Sequence, residues 1–241
     1  MKKLWVIPDI HGNSGTLQAL IEEQIKPSRS DRLFFLGDYI DRGPDAKGVI
    51  DFIIALKEDE YDIVTLKGNH EDYLLRTFDN ETTQKNFLGI TYQNKLKKEW
   101  FRYGGKETLK SFGISDVHEI PGTYIDWMRE LKYYIELESY ILVHAGLNFG
   151  LDDPFEDRQS MIWIKEFSVI PEKIDHKKLI HGHVPISLDF IELLRTSNKF
   201  DYIDLDNGVY MPDKAGFGNL VALELTSMEM KIQPNLDMVT A

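Results

Sequence analysis

Short apolar runs alternate with polar loops through the first seventy residues, and between them the apolar spacing switches to a helical period. Leu4–Ile7 is rich in strand formers and stops at Pro8, so it predicts a buried strand. Ser14 or Thr16 can cap the helix that follows, whose apolar face is Leu17, Leu20, Ile21 and Ile25. Residues 31–36 predict a second strand. Pro44-Asp45 then opens a helix with Val49, Ile50, Ile53, Ile54 and Leu56 on its buried side, and residues 61–66 predict a third strand. The unit of strand, loop and helix repeats about every thirty residues, which suits βαβ crossovers.

From 72 to 130 the pattern changes to helical segments and loops. Strands are predicted again at 133–138 and Tyr140–Val143, followed by a loop and helix across 151–167 and a short strand at 178–180. The tail alternates in strand fashion at 190–194, 202–205, 220–225 and 228–232, with Asp206-Asn207-Gly208 as a turn. No linker or low-complexity segment interrupts the chain. Residues 1–241 therefore predict a single α/β domain with a helical insertion at about 72–130, and the pattern alone suggests a doubly wound sheet.

Composition narrows the chemistry. The net charge of −12 argues against nucleic-acid or anionic-membrane partners bound through a basic face. The insertion carries nine acidic and nine basic residues, so the acidic surplus lies outside it. Its cationic and aromatic run from Lys95 to Tyr103 reads as a solvated helix face, or alternatively as a lid or substrate groove. There is no cysteine, which excludes disulfides, zinc-thiolate sites and thiol nucleophiles. No apolar stretch approaches a membrane span, and the N-terminal run ends too early for a signal peptide, so a soluble, cytoplasmic protein is expected.

Open α/β sheets bind ligands at the carboxyl ends of their strands. Asp9/His11, Asp38/Asp41 and Asn69/His70 fall at those ends. Five of the seven histidines, His11, His70, His144, His181 and His183, sit in such loops. Imidazole with carboxylate suits first-row metals such as Mn, Fe or Zn. The candidate ligands are Asp9, His11, Asp38, Asn69, His144 and one of His181 or His183, which would share a face in a strand. That is too many for one tetrahedral zinc; it suits two metals bridged by a carboxylate, with Asp38 central. In the turn Gly37–Gly43, Arg42 is available to an anion. His118 and His176 lie outside any motif and read as surface residues; Tyr39 and Asn207 have no assigned role.

The ordered set Asp9-x-His11-Gly12, Gly37-Asp38-x-x-Asp41-Arg42-Gly43, Gly68-Asn69-His70-Glu71, His144-Ala145-Gly146 and Gly182-His183 resembles the calcineurin-like metallophosphoesterases. The Asp-Arg-Gly and Asn-His-Glu endings resemble the phosphoprotein-phosphatase branch, especially its bacterial and phage serine/threonine phosphatases. Trp100-Phe101-Arg102-Tyr103-Gly104-Gly105 with Thr108-Leu109, and Ile162-Trp163-Ile164-Lys165, look like their accessory motifs. The resemblance implies a central two-sheet β-sandwich flanked by helices. It also implies that Asp9 and His11 bind one metal, that Asp38 bridges, and that Asn69, His144 and His183 bind the second. His70 would be the general acid, supported by Asp41, and Arg42 the bidentate phosphate clamp, with Asn69 also at the phosphate.

Metal-bound hydroxide would attack in line, without a phosphoenzyme. Two departures stand out. Pro8 replaces the usual glycine, and Lys165 stands where these enzymes usually carry a phosphate-binding arginine, so Lys165 or Arg102 would serve there. The expected activity is a dinuclear, Mn-dependent phosphomonoesterase acting on phosphoserine or phosphothreonine in proteins or on small phosphoesters. The alternative within the same branch is dinucleoside polyphosphate (diadenosine tetraphosphate) hydrolysis, with Trp100 or Tyr103 stacking an adenine. A non-catalytic scaffold ranks last, because every expected ligand is present together with His70, Asp41 and Arg42.

Overall fold

The computed structural model describes residues 2–80 and 95–238, with the backbone of a strand pair at Asn86–Phe87 and Ile90–Thr91. The rest of the predicted insertion between 81 and 94 lies outside the described residues. In chain order the elements begin β1 (Leu4–Ile7), α1 (Ser14–Ala19) continued by a π-helical turn (Leu20–Ile25), β2 (Arg32–Phe35), α2 (Ala46–Glu58), β3 (Asp62–Thr65) and α3 (Asn69–Asp79). The strand pair β4 and β5 follows, then α4 (Lys95–Arg102), α5 (Gly105–Ser111) and α6 (Gly122–Arg129). The second half holds β6 (Tyr134–Glu136), β7 (Tyr140–Val143), α7 (Arg158–Trp163), β8 (Lys178–His181), α8 (Leu188–Thr196), β9 (Tyr202–Asp204), β10 (Asn219–Glu224) and β11 (Met230–Pro234).

The strands form two main sheets. One has the order β11-β10-β1-β2-β3, with β1, β2 and β3 parallel; the other is β6-β7-β8-β9, with β7, β8 and β9 parallel. The continuous apolar runs are explained by burial on both faces. Val6, Phe34, Val221 and Leu223 of the first sheet meet Leu142, Ile180 and Ile203 of the second in a shared core. Their strand neighbours Trp5, Ile7, Leu33 and Phe35 point the other way, onto α1, α2 and the helices after α3. Ile141, Val143 and Leu179 likewise pack outward, against Met161 and Ile162 of α7. Two sheets face to face with helices outside replace the doubly wound sheet suggested by pattern alone.

One predicted element is corrected. Residues 190–194 are not a strand but part of α8, capped by Ser187, whose side chain accepts the Phe190 N–H. Ile191 and Leu194 enter the core between the sheets, whereas Phe190 and Leu193 remain 37 % and 48 % exposed. That spacing follows a helix, and a short apolar run cannot by itself distinguish the two conformations. Elsewhere Asp45 caps α2 by accepting the Gly48 N–H, at the predicted start. No described helix is long and apolar enough to cross a membrane.

Candidate metal centre and active site

The parallel strands of both sheets aim their carboxyl ends at one edge, where five loops meet. Several residues there adopt left-handed backbone despite carrying side chains: His11 (φ 47°), Asp38 (53°), Asp41 (69°), Arg42 (68°) and His183 (78°). Such conformations cost of order 1–3 kcal/mol each and cluster where function requires them. Glu71 holds two loops together. It sits in the first turn of α3, and its carboxylate accepts the Asp38 and Tyr39 N–H groups at 3.0 and 2.8 Å and the Gly68 N–H at 3.0 Å. Tyr39 anchors the same turn by donating its hydroxyl to the Leu66 carbonyl at 2.9 Å. Gly68 admits the Asp38 carboxylate, since a Cβ there would lie 2.0 Å from Asp38 Oδ1.

Two groups of ligand atoms emerge, each mutually within 4.8 Å: His11 with Asp38 and His70, and Asp38 with His144 and His183. Asp38 is common to both. The orientation of the rings fits a cation. His11 Nδ1 lies 3.0 Å from the Ile40 carbonyl and His144 Nδ1 3.1 Å from that of Leu36; a carbonyl only accepts, so both nitrogens donate. The Nε2 lone pairs therefore face the cluster: His11 Nε2 is 3.6 Å from Asp38 Oδ2, and His144 Nε2 is 3.0 Å from Asn69 Oδ1. Acceptors converging on acceptors are what a metal relieves. His183 Nε2 and Asp9 Oδ2 are also buried there without a hydrogen-bond partner among the described residues.

Electrostatics agree. Burial, with the charges of Asp206 and Asp38, pushes Asp9 well above the usual carboxylate range. Burial raises Asp38 to about 7 despite His70 nearby. Burial lowers His11 and His144 well below the usual imidazole range and brings His183 to about 3. Clustered anions and neutral imidazoles form a cation-binding set.

Beside this cluster stands a second constellation. His70 Nδ1 is 2.7 Å from Asp41 Oδ2. Asp41 is fully buried and also accepts from Thr108 Oγ1 at 2.5 Å and Trp100 Nε1 at 3.0 Å. Burial raises Asp41 to about 8, although the Thr108 and Trp100 bonds oppose the shift. Arg42 spans both rings, with Nη1 donating to His11 Nε2 at 3.0 Å and Nη2 to His70 Nε2 at 3.2 Å. Its guanidinium carbon sits over the Tyr210 ring, 4.0 Å from the centroid.

The structure brings Asp9, His11, Asp38, Asn69, His144 and His183 together and sets His70, Asp41 and Arg42 beside them. It separates the paired histidines: His183 reaches His144, ring to ring at 5.0 Å, while His181 packs against Phe167 and Tyr202. The chain leaves strand geometry at Gly182, so the shared face expected of a strand does not form. Lys165 is exposed at the edge, and its charge contributes to the lowered proton affinity of His183. Arg102 is exposed at the end of α4, with no hydrogen bond to the cluster among the described residues. Trp100 is 0 % exposed and bound to Asp41, so it cannot stack a base; Tyr103, 46 % exposed and 6.2 Å from the His70 ring, faces outward.

Asp206 and Tyr210 were not legible as site residues, because the loop after β9 carries no local metal-binding spacing. Asn207, also unassigned from sequence, is a structural tie: its amide donates to the Ile186 and Gly216 carbonyls at 2.9 Å.

Comparison with known proteins agrees with this geometry. Residues 2–211 match the calcineurin-like phosphoesterase family. A symmetrical bis(5'-nucleosyl)-tetraphosphatase of Cellvibrio japonicus is 28 % identical over 145 residues, covering 59 % of this chain and 44 % of the relative. The chain thus matches less than half the length of that curated relative. A Saccharomyces cerevisiae serine/threonine phosphatase similar to human PP5 superposes with a TM-score of 0.61 at 14 % identity, covering 99 % of this chain and 81 % of that one. A metallophosphoesterase from Sphaerobacter thermophilus gives 0.54 at 15 % identity, covering 96 % and 87 %. At such identities the structures establish the fold, and the family match across most of the chain, ending beyond the last cluster residue, supplies the rest: the chain belongs to the calcineurin-like phosphoesterases.

Proposed function

We propose that the chain is a dinuclear metal-dependent phosphomonoesterase of the phosphoprotein-phosphatase type, acting on phosphoserine or phosphothreonine in proteins. The observation that carries the hydrolytic reading is the His70–Asp41 pair at 2.7 Å, joined through Arg42 to His11, whose ligand group shares Asp38 with a second group formed with His144 and His183. Asp9, His11, Asp38, Asn69, His144 and His183 would hold two metals, Mn first and Fe or Zn as alternatives. Bound there, the metals lower the pKa of water and neutralise charge on the phosphoryl oxygens.

The chain's own groups do the remainder. Arg42 presents two parallel N–H groups that suit a phosphate edge, and Asn69 adds a polar contact. Lys165 brings charge to the same edge without a planar fork. To give a proton to the leaving oxygen, His70 must carry it on Nε2. In the free site that nitrogen takes the bond from Arg42 and burial lowers the ring to about 4, so substrate phosphate has to draw Arg42 away. Asp41 holds Nδ1 and fixes the ring. Trp100 and Thr108 hold Asp41 in turn.

A second reading, hydrolysis of dinucleoside polyphosphates, is favoured by the Cellvibrio japonicus relative. Both reactions displace at phosphorus, so the cluster serves either. Phosphate release from phosphopeptide and from diadenosine tetraphosphate with Mn²⁺, measured on wild type, Asp38→Asn and His70→Asn, tests both readings. Wild type is expected to turn over phosphopeptide faster, and both variants to lose activity by about 10²-fold or more. Equal activity in all three proteins sinks the mechanism, and a preference for the dinucleotide installs the second reading.

A further inference from the structure

Asn13 stands at the N-cap of α1, yet its side chain does not cap the helix. A capping asparagine ordinarily accepts an N–H of the first helical turn. Here the amide turns back, and Nδ2 donates to the Ile10 carbonyl at 2.8 Å and the His11 carbonyl at 2.7 Å. Both carbonyls only accept, so the orientation of the amide is fixed and Oδ1 is left as an acceptor. Asn13 is 0 % exposed, so that oxygen needs its partner inside the protein.

The partner is Asn235, which follows β11 and lies 222 residues along the chain. Its Nδ2 donates to Asn13 Oδ1 and to the Val209 carbonyl, each at 2.8 Å. Its Oδ1 accepts the Asp237 and Met238 N–H groups at 2.9 and 2.7 Å, so both ends of this buried amide are matched. Val209 precedes Tyr210, whose ring meets that of His11 edge to face at 5.0 Å and lies under the Arg42 guanidinium. Asp237 takes the place of the missing cap. It accepts the Gly15 and Thr16 N–H groups at 2.9 and 2.8 Å and the Thr16 hydroxyl at 2.5 Å.

We infer that Asn235 is a positioning residue of the metal centre. Through Asn13 it fixes the loop that presents Asp9 and His11, and through Val209 it holds the Tyr210 ring against His11. Asn235 lies outside the 2–211 segment that matches the family. His11 has φ 47°, a left-handed conformation that persists only where its surroundings over-determine it. The Asp38 carbonyl secures the N–H side of that turn, accepting from Ile10 and His11 at 3.0 and 2.8 Å. Asn13 secures its carbonyl side. Residues that orient a ligand from behind change metal affinity by about 10–100-fold when removed. The inference rests on the reading that Asp9 and His11 hold a metal.

The test uses the full chain as wild type, Asn235→Asp, Asn13→Ala and Asp237→Ala. Asn235→Asp keeps an acceptor for Asp237 and Met238 but has no donor for Asn13 or Val209. Calorimetric titration follows Mn²⁺ binding, and NMR follows amide exchange of residues 10–12 in the metal-free protein. Wild type is expected to bind two Mn²⁺ ions. Asn235→Asp and Asn13→Ala are each expected to weaken one step about tenfold or more, to leave the other within about twofold, and to speed exchange at residues 10–12. Asp237→Ala removes only the cap on α1, so it is expected to lower Tm and leave both steps within about twofold. Both steps unchanged in Asn235→Asp, or an equal loss in Asp237→Ala, overturns the proposal. Should Asn235→Asp fail to fold by circular dichroism, Asn235→Ala decides in its place. A wild type that binds no Mn²⁺ defeats the metal reading; exchange then decides by itself, and unchanged rates at residues 10–12 in Asn235→Asp overturn the positioning role.

Discussion

At the scale of single residues, Asp41 is the clearest case of one side chain serving another. Its carboxylate receives bonds from His70, Trp100 and Thr108, and it is fully buried. Asparagine keeps the size but turns an amide donor towards one of those donors. Asp41→Asn is expected to lower kcat for a small phosphoester by about 10²–10⁴-fold with a smaller change in KM, as for a general acid that has lost its orienting partner. Steady-state kinetics with the variant check this, and a pure KM effect would assign Asp41 to substrate binding instead. The two positions of Asp in Gly37–Gly43 were readable as chemistry from spacing. That Thr108 and Trp100, about sixty residues on, complete the Asp41 shell was not, because no local pattern encodes a contact across the fold.

At the scale of elements, the insertion matters through one tight approach. Gly104 has φ 104°, and a Cβ there would lie 2.3 Å from the Arg42 backbone nitrogen. Gly104→Ala therefore adds backbone strain of about 1–3 kcal/mol and displaces Arg42. The expected result is a drop of about tenfold or more in kcat/KM, concentrated in KM for phosphoesters. Unchanged kinetics would show that the close approach of Gly104 does not position Arg42.

The end of β10 offers a pH test away from the metals. Glu224 is 1 % exposed; burial would raise its pKa, but the Leu4 N–H at 3.0 Å and the Ser227 and Thr226 donors outweigh that and hold it at about 2. A depressed folded-state pKa stabilises the fold above the unfolded value of about 4.5, and the benefit is lost as pH falls towards 2. About 3 kcal/mol is involved at 1.36 kcal/mol per pH unit. Urea midpoints are expected to fall more between pH 6 and pH 3 for wild type than for Glu224→Gln. Parallel falls would show that Glu224 does not link β1 to β10 as described.

At the scale of the whole molecule, both sheets direct buried carboxylates to one edge. Asp9, Asp38 and Asp206 are each 1 % exposed, and burial raises all three. A cation that binds only the folded chain stabilises it by about 2.7 kcal/mol at a hundred times its dissociation constant. Stripping with a chelator is thus expected to lower Tm, and Mn²⁺ titration to restore it in wild type but far less in Asp38→Asn. Identical melting with and without Mn²⁺ would count against a metal centre.

The amino-acid sequence by itself determined the strands, their loops and the residue types of the cluster. Apolar run length and turn chemistry are local properties, and Asp, Asn and His at successive strand ends retain their identity wherever the chain places them. Tertiary structure decided what locality could not. It closed two sheets face to face, turned 190–194 into α8 because Ile191 and Leu194 fill the space between them, and took His183 rather than His181 to His144. It also buried Trp100 beneath Asp41 and laid Tyr210 under Arg42. Each of these choices is a contact between segments distant along the chain, fixed by packing of surfaces that only the assembled fold creates.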